Sequence, residues 1–444
     1  MSSAREVALR VLDRVERGGA FAAAALEAEL AGLDDSRDSA LATELVYGVL
    51  RRRSWLDRLL ESASRRGLRG LEPSVLNALR LGAYQIAFLE RIPARAAVFE
   101  TVSQVKRGRA PGLAGLTNAL LRRLAARPRE ELLPPAGIEG QLADLAARLG
   151  LPSWLLERWI AERGRKGAAE LARAFARPAP RAMRVNAARA SREELLARYR
   201  DRVRAGRLSP WALEVDDAEL ARRLDEAGLA VHQDEGAQLV ALAVEARPGD
   251  RVLDACAGRG GKTGALAALI GADLARERLL AVDVGRSKLE RSSFELERLG
   301  LGARTATIDL ARDPQQLEGE FDRVLLDAPC SGSGTLGRRP EIRWRLDPAA
   351  LERLVEIQDS LLEAVIPRLA PGGRLVYAVC SLLTEEGAGH LEPLLGRHPE
   401  MEPVAETPDG WPEIASWSDG RFEIDPARTG GDGYTGFCVR RSRA

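Results

Sequence analysis

The stretch Asp250–Ile270, DRVLDACAGRGGKTGALAALI, decides the fold of the largest part of this 444-residue chain. Aliphatic residues run to Ala255, glycines crowd Gly258 to Gly264, and alanine and leucine then fill a helical stretch. That order predicts a buried strand, a tight turn and a helix. The unit repeats downstream. Residues 278–300, RLLAVDVGRSKLERSSFELERLG, again read as strand then helix, and ARTATIDL (303–310), FDRVLLDAP (321–329) and GGRLVYAVCS (372–381) supply three further strands. Such alternation predicts an α/β domain whose mostly parallel sheet is covered on both faces and binds ligands at the carboxyl ends of its strands.

The glycine turn excludes two common ligands. A phosphate-binding P-loop, GxxxxGK[ST], would need glycine where Cys256 stands before Gly261-Lys262-Thr263, and no GxGxxG dinucleotide fingerprint passes through Gly258, Gly260, Gly261 and Gly264. What remains is a turn that lets a ligand approach the backbone closely. Asp254, Asp283, Asp309 and Asp327 end the first four strand candidates. Asp283 is placed to accept hydrogen bonds from both hydroxyls of a ribose, Asp309 to meet an adenine amino group, and Asp327 to face the reaction centre. An acidic pocket without a pyrophosphate loop suits a cationic nucleoside such as S-adenosylmethionine better than an anionic dinucleotide.

Ahead of this domain, almost every segment from Arg5 to Arg127 reads as an amphipathic helix. Leu41, Leu45, Val49, Leu56 and Leu60 fall near one face, and Pro73 opens the next helix as a first-turn proline. The double proline in LLPPAG (132–137) reads as a linker. Beyond it, AMRVN (182–186) is a short strand candidate, and Ser191 with Glu194 has capping-box spacing. Three domains follow: an all-helical bundle over 1–132, a linker and small α+β module over 133–235, and the α/β domain over 236–444.

The net charge of +1 conceals a gradient. Met1–Glu130 carries 22 Lys and Arg against 15 Asp and Glu, Glu131–Glu235 is near balance, and Gly236–Ala444 carries 26 against 33. A basic front suggests a polyanionic partner, with RRRSW (51–55), KRGRAPG (106–112) and LLRRLAARPR (120–129) as the phosphate-facing clusters. Genomic bias is the competing explanation, since arginine outnumbers lysine 62 to 4.

Two resemblances sharpen these expectations. LVYGVLRR (45–52), LRLGAYQIAFL (79–89), RIPARAAVFETVSQVKR (91–107) and GLTNALLRRL (115–124) resemble, in order, the NusB-like RNA-binding domain. DACAGRGGKT (254–263), AVDVGRSKLERSSFELERLGL (281–301), LLDAPCSGSGTLGRRPEIRW (325–344) and YAVCSLLTEEG (377–387) resemble the cofactor and catalytic motifs of the RNA (cytosine-5) methyltransferases, and MRVN (183–186) their substrate-binding element. The whole chain is similar to the bacterial RsmB type, which modifies a cytosine in 16S ribosomal RNA. The resemblance makes 133–235 the substrate-binding module and 236–444 the catalytic domain, and implies a Rossmann-like fold and S-adenosylmethionine contacts at or near Cys256, Ala257, Gly258, Arg259, Gly260, Gly261, Lys262, Asp283, Asp309 and Asp327. Gly258-Arg259 replaces the family's usual alanine-proline, and Val379 its threonine.

Carbon 5 of cytosine is a poor nucleophile until a thiolate adds to carbon 6, so a cysteine is the expected covalent catalyst. On local grounds Cys330, after Pro329, and Cys380 are equally placed. The resemblance assigns attack to Cys380 and product release to Cys330; the position of Asp327 at a strand end suits it to hold the N3–N4 edge of the base, and a helix starting at SLLTEEG would lower the Cys380 pKa. Two alternatives stay open, a transfer-RNA cytosine-5 methyltransferase and a methylation-inactive ribosome-assembly factor. Cys256, Cys330, Cys380 and Cys438 form no CxxC pair and His232, His390 and His398 no ligand spacing, so no metal is expected. A charged N-terminus without an apolar core and the lack of a long apolar run point to a cytoplasmic protein with no membrane partner, and nothing demands more than a monomer.

Overall fold

The computed structural model describes residues 3–33 and 35–443; Met1, Ser2, Asp34 and Ala444, which the expected domains include, lie outside the described residues. The chain packs as two units: Met1–Arg177 with Arg339–Arg345, and Pro178–Arg338 with Leu346–Ala444.

The first unit is helical. Ser36–Ala63 buries Leu45, Val49, Leu56 and Leu60, with Leu41 half-buried beside them, against helices Ala4–Gly18, Pro73–Phe88 and Ala114–Ala125. Pro73 begins its helix at the first turn, where its missing N–H costs nothing. The Pro134-Pro135 break lies inside this unit, because helices Leu142–Leu149 and Ser153–Ala174 pack with it, the second kinked at Gly164. The RRRSW cluster does not face solvent as expected. The guanidiniums of Arg51, Arg52 and Arg53 lie over the rings of Tyr47, Phe88 and Trp344, and Arg53 also pairs with Glu16. Cation–π stacking and ion pairing hold these charges in place. Exposed cations are instead found at Arg95, Lys106, Arg107, Arg109, Arg122 and Arg123.

Seven residues of this unit come from far along the chain. Arg343 is fully buried and donates to the carbonyl of Gly150 at 2.8 Å, Trp344 Nε1 donates to Leu50 O at 2.8 Å, and Glu341 accepts from the amide of Ala22 at 3.1 Å. Burial lowers the Arg343 pKa to about 9.

The second unit contains two sheets. The smaller one is antiparallel, in the order β2 (Arg204–Ala205), β3 (Ala212–Glu214), β1 (Ala182–Val185), β4 (Ala230–His232). Met183, Val185 and Leu213 pack there on Leu195, Leu220 and Leu224 from its helices. Ser191 and Glu194 form the reciprocal capping box read from their spacing. The larger sheet holds, among the described residues, nine strands: β5 (Val252–Asp254), β6 (Leu279–Asp283), β7 (Arg304–Thr307), β8 (Phe321–Asp327), β9 (Leu369–Val379), β10 (Met401–Pro403), β11 (Ser416–Ser418), β12 (Arg421–Ile424) and β13 (Tyr434–Arg441). Its order is β11-β12-β13-β9-β8-β5-β6-β7, with β10 on β13; β9-β8-β5-β6-β7 are parallel and the rest antiparallel. Apolar clusters cover both faces, which accounts for the near-continuous aliphatic runs of the parallel strands. The strand order reverses between β5 and β8, so the crevice for a ligand opens at their carboxyl ends.

Candidate functional site

The turn after β5 is built on Asp283. Its carboxylate accepts from Gly258 N at 3.0 Å, from Gly285 N at 2.7 Å and from Lys288 Nζ at 3.1 Å, which closes the loops after β5 and β6 around one side chain. Gly260 stands at φ +83°, and a Cβ there would lie 2.1 Å from Ser292 Oγ, so only glycine fits. Gly261 then opens helix Gly261–Ile270. Ala257 is buried in the turn and its amide donates to Val282 O. Arg259, the departure from the family pattern, is exposed and lines no part of the cavity beside it.

That cavity, of about 220 Å³, is lined by Cys256, Gly258, Asp283, Asp309, Asp327 and Pro329 together with the apolar Val284, Ile308, Leu310 and Ile357. The donor set fits an adenosyl sulfonium: apolar side chains for a base, carboxylates for hydroxyl and amino groups, and negative charge for a cation. A larger cavity, of about 520 Å³, is lined by Arg251, Arg278 and Arg304 at the opposite strand ends; it shares Ile308 with the first and contains none of the aspartates or the cysteine. Behind the turn, Asp254 is buried. One carboxylate oxygen accepts from Thr263 Oγ1 at 2.7 Å, the other has no hydrogen-bond partner among the described residues, and burial raises the pKa to about 7. Asp309 lies just past β7 and is a cavity residue, so three of the four strand-end aspartates converge on one space.

Cys330 and Cys380 follow β8 and β9, and their sulfurs stand 3.4 Å apart. Contact with the Cys380 sulfur, then burial, raises the Cys330 thiol far above the usual range. Lys262 Nζ donates to Asp327 Oδ2 at 2.6 Å and sits 5.1 Å from the centre of the Tyr434 ring. Burial disfavours its charge, but Asp327, and further off Cys380 and Asp254, hold the ammonium more strongly and its pKa rises. Tyr434 comes from β13, whose Thr435 is in register with Val379. A tyrosine so far along the chain carries no local motif, and sequence reasoning missed it.

No helix starts at SLLTEEG; residues 381–387 form a loop and turns. The chain there wraps inward instead. Ser381 Oγ donates to Glu386 at 2.5 Å and its carbonyl accepts from Thr435 Oγ1 at 2.9 Å. All four cysteines are free thiols, and Cys438 is buried against Arg374, away from the pair. Among the described residues no group of three or more His, Cys, Asp or Glu could hold a metal, and no helix is long and apolar enough to cross a membrane.

Residues 241–435 match the family described as 16S rRNA methyltransferase RsmB/F, residues 2–126 the NusB family, and residues 151–217 the RsmF/B-like ferredoxin-like domain. The chain is 38% identical to the ribosomal RNA small subunit methyltransferase B of Thermus thermophilus over 98% of its own length and 97% of that protein's. It is 36% identical to the Pseudomonas putida protein of the same name, over 89% of each. The crystal structure of PH0851 shares the fold, with a TM-score of 0.81 at 23% identity over 98% of both chains.

Proposed function

The chain belongs to the 16S rRNA methyltransferase RsmB/F family, and from that premise we propose that it methylates carbon 5 of a cytosine in small-subunit ribosomal RNA through a cysteine-linked intermediate. The observation that carries this reading is the pair of sulfurs 3.4 Å apart at the ends of β8 and β9, beside the Asp283–Asp309–Asp327 cavity. Asp283, Asp309, Asp327 and the turn at Gly258 would hold S-adenosylmethionine, which when bound would supply an electrophilic methyl group.

Cys380 is the nucleophile. The family resemblance assigns attack to it, and the Cys380 sulfur together with burial keeps the Cys330 thiol neutral. The thiolate adds to carbon 6, forming the S–C6 bond and shifting the electron pair to carbon 5, which takes the methyl group. Asp327, held by Lys262, faces the N3–N4 edge of the base and stabilises the protonated ring. A water molecule then takes the carbon-5 proton, the electron pair of that C–H bond re-forms the C5–C6 double bond as the S–C6 bond breaks, and the Cys380 thiolate leaves; Cys330 assists this release.

The experiment pairs two variants. With S-adenosylmethionine and 16S ribosomal RNA, Cys380→Ala loses turnover by at least ~10³-fold and forms no adduct, while Cys330→Ala accumulates a protein–RNA band on a denaturing gel. The opposite pattern exchanges the two roles. Bisulfite sequencing of cellular RNA with and without the gene distinguishes ribosomal from transfer RNA as the substrate.

A further inference from the structure

Behind the two thiols lies a polar cluster that the chemistry above does not use. Glu386 is fully buried, as are Ser333, Ser381 and Gln358. One carboxylate oxygen of Glu386 accepts from the amide of Ser331 at 2.7 Å and from Gln358 Nε2 at 3.2 Å. The other accepts from the hydroxyls of Ser331 and Ser381, both at 2.5 Å. Ser331 directly follows Cys330, and Ser381 directly follows Cys380.

The direction of each bond follows from its donors. Ser331 Oγ already accepts from Ser333 N at 3.3 Å, and Ser381 Oγ from Leu383 N at 3.2 Å; Ser333 Oγ accepts from Leu382 N at 3.0 Å and lies 2.9 Å from Ser381 Oγ. Backbone amides thus feed the hydroxyls from behind; Ser331 Oγ also lies 3.3 Å from Ser381 Oγ, and the much shorter 2.5 Å approaches to Glu386 draw the Ser331 and Ser381 protons to the carboxylate. A carboxylate is the one side chain that accepts on both edges. Glutamine disrupts the site in either orientation, because its NH2 meets the Ser331 amide and Gln358 donors on one edge, or on the other displaces the serine protons from the carboxylate to the longer Ser–Ser contacts. In a buried site such a mismatch is costly.

We propose that Glu386 is a positioning residue, the shared acceptor that straps the loops after β8 and β9 together and thereby sets the separation of the Cys330 and Cys380 sulfurs. Its charge has a second consequence. After the Cys380 sulfur and burial, it adds to the influences that keep Cys330 protonated. The role in turnover rests on the cysteine mechanism proposed above, but the role in geometry does not.

The test measures sulfur separation directly. Diamide, a diazene oxidant, takes up two electrons and two protons as the Cys330 and Cys380 sulfurs join; the disulfide is followed by mass spectrometry of unreduced peptides. Glu386→Gln closes this disulfide at least tenfold more slowly than the wild-type protein. Its kcat falls about 100-fold while KM for RNA stays within threefold, and Glu386→Asp recovers part of both losses. Should Glu386→Gln not fold, Ser381→Ala, which cuts the strap at Cys380 alone, shows the same slowing to a smaller degree. Disulfide closure at the wild-type rate in the folded variants, or a loss of kcat matched by an equal rise in KM, overturns the proposal. A wild-type protein without methyltransferase activity would instead remove the mechanism while leaving the disulfide result intact.

Discussion

Asp254 shows how burial alone sets the chemistry of a residue. Its folded pKa of about 7 lies above the ordinary carboxylate value, so the folded state holds the proton more tightly than the unfolded chain. The resulting stability is complete below the unfolded pKa, near 4, and is lost as pH rises through 7. Asp254→Asn, which has no proton to lose, should therefore match the wild-type Tm at pH 4 and exceed it at pH 8, as scanning calorimetry over that range would show. The aspartates were legible in the sequence because each ends a strand candidate, three of them aliphatic runs. The partner of Asp327 was not: Lys262 meets it only once strands β5 and β8 are brought side by side, whereas Lys288 reaches Asp283 from five residues along the same segment. Glu386 was equally hidden, since its four donors come from three segments of the chain.

At the scale of the element, turns and caps carried the clearest signals. The Ser191–Glu194 box formed as its spacing required, and Ser191→Ala should cost about 1 kcal/mol in denaturant unfolding. Gly260→Ala should cost more than the ~1–2 kcal/mol of left-handed strain, because the added methyl group also collides with Ser292. A urea titration ranking the two variants the other way would mean that the turn after β5 yields where its packing implies that it cannot. The edge strand β7, Arg304–Thr307, is largely exposed, whereas strands β5, β6, β8 and β9 were legible as apolar runs, since both of their faces are buried. The short antiparallel strands β10 to β12 were not, since three- and four-residue segments such as Ser416–Ser418 show no period to read. The expected helix after Cys380 failed for a related reason: a serine followed by glutamates resembles a helix start, yet here the carboxylate of Glu386 turns inward to the serine hydroxyls.

Over the whole molecule, charge counted along the sequence was a coarser guide than charge in space. The front of the chain is basic, but part of that charge is spent on stacking within the helical unit at Arg51, Arg52 and Arg53, and only side chains such as Lys106, Arg109 and Arg122 are left to meet solvent. Linear order misleads about packing as well. Residues 339–345, quoted from a catalytic motif, contribute Glu341, Arg343 and Trp344 to the interior of the helical unit.

That detour means a genetic cut at Arg177 does not release a finished object. A fragment ending there keeps its helices but lacks the tryptophan that occupies Leu50 O and the guanidinium that occupies Gly150 O. It should melt at a lower temperature than the same helices in the full-length protein, and a synthetic heptapeptide of sequence 339–345 should raise that temperature in proportion to its concentration. In evolutionary terms, neither gene segment can be shuffled to a new neighbour without leaving a gap in one partner and a stranded loop in the other.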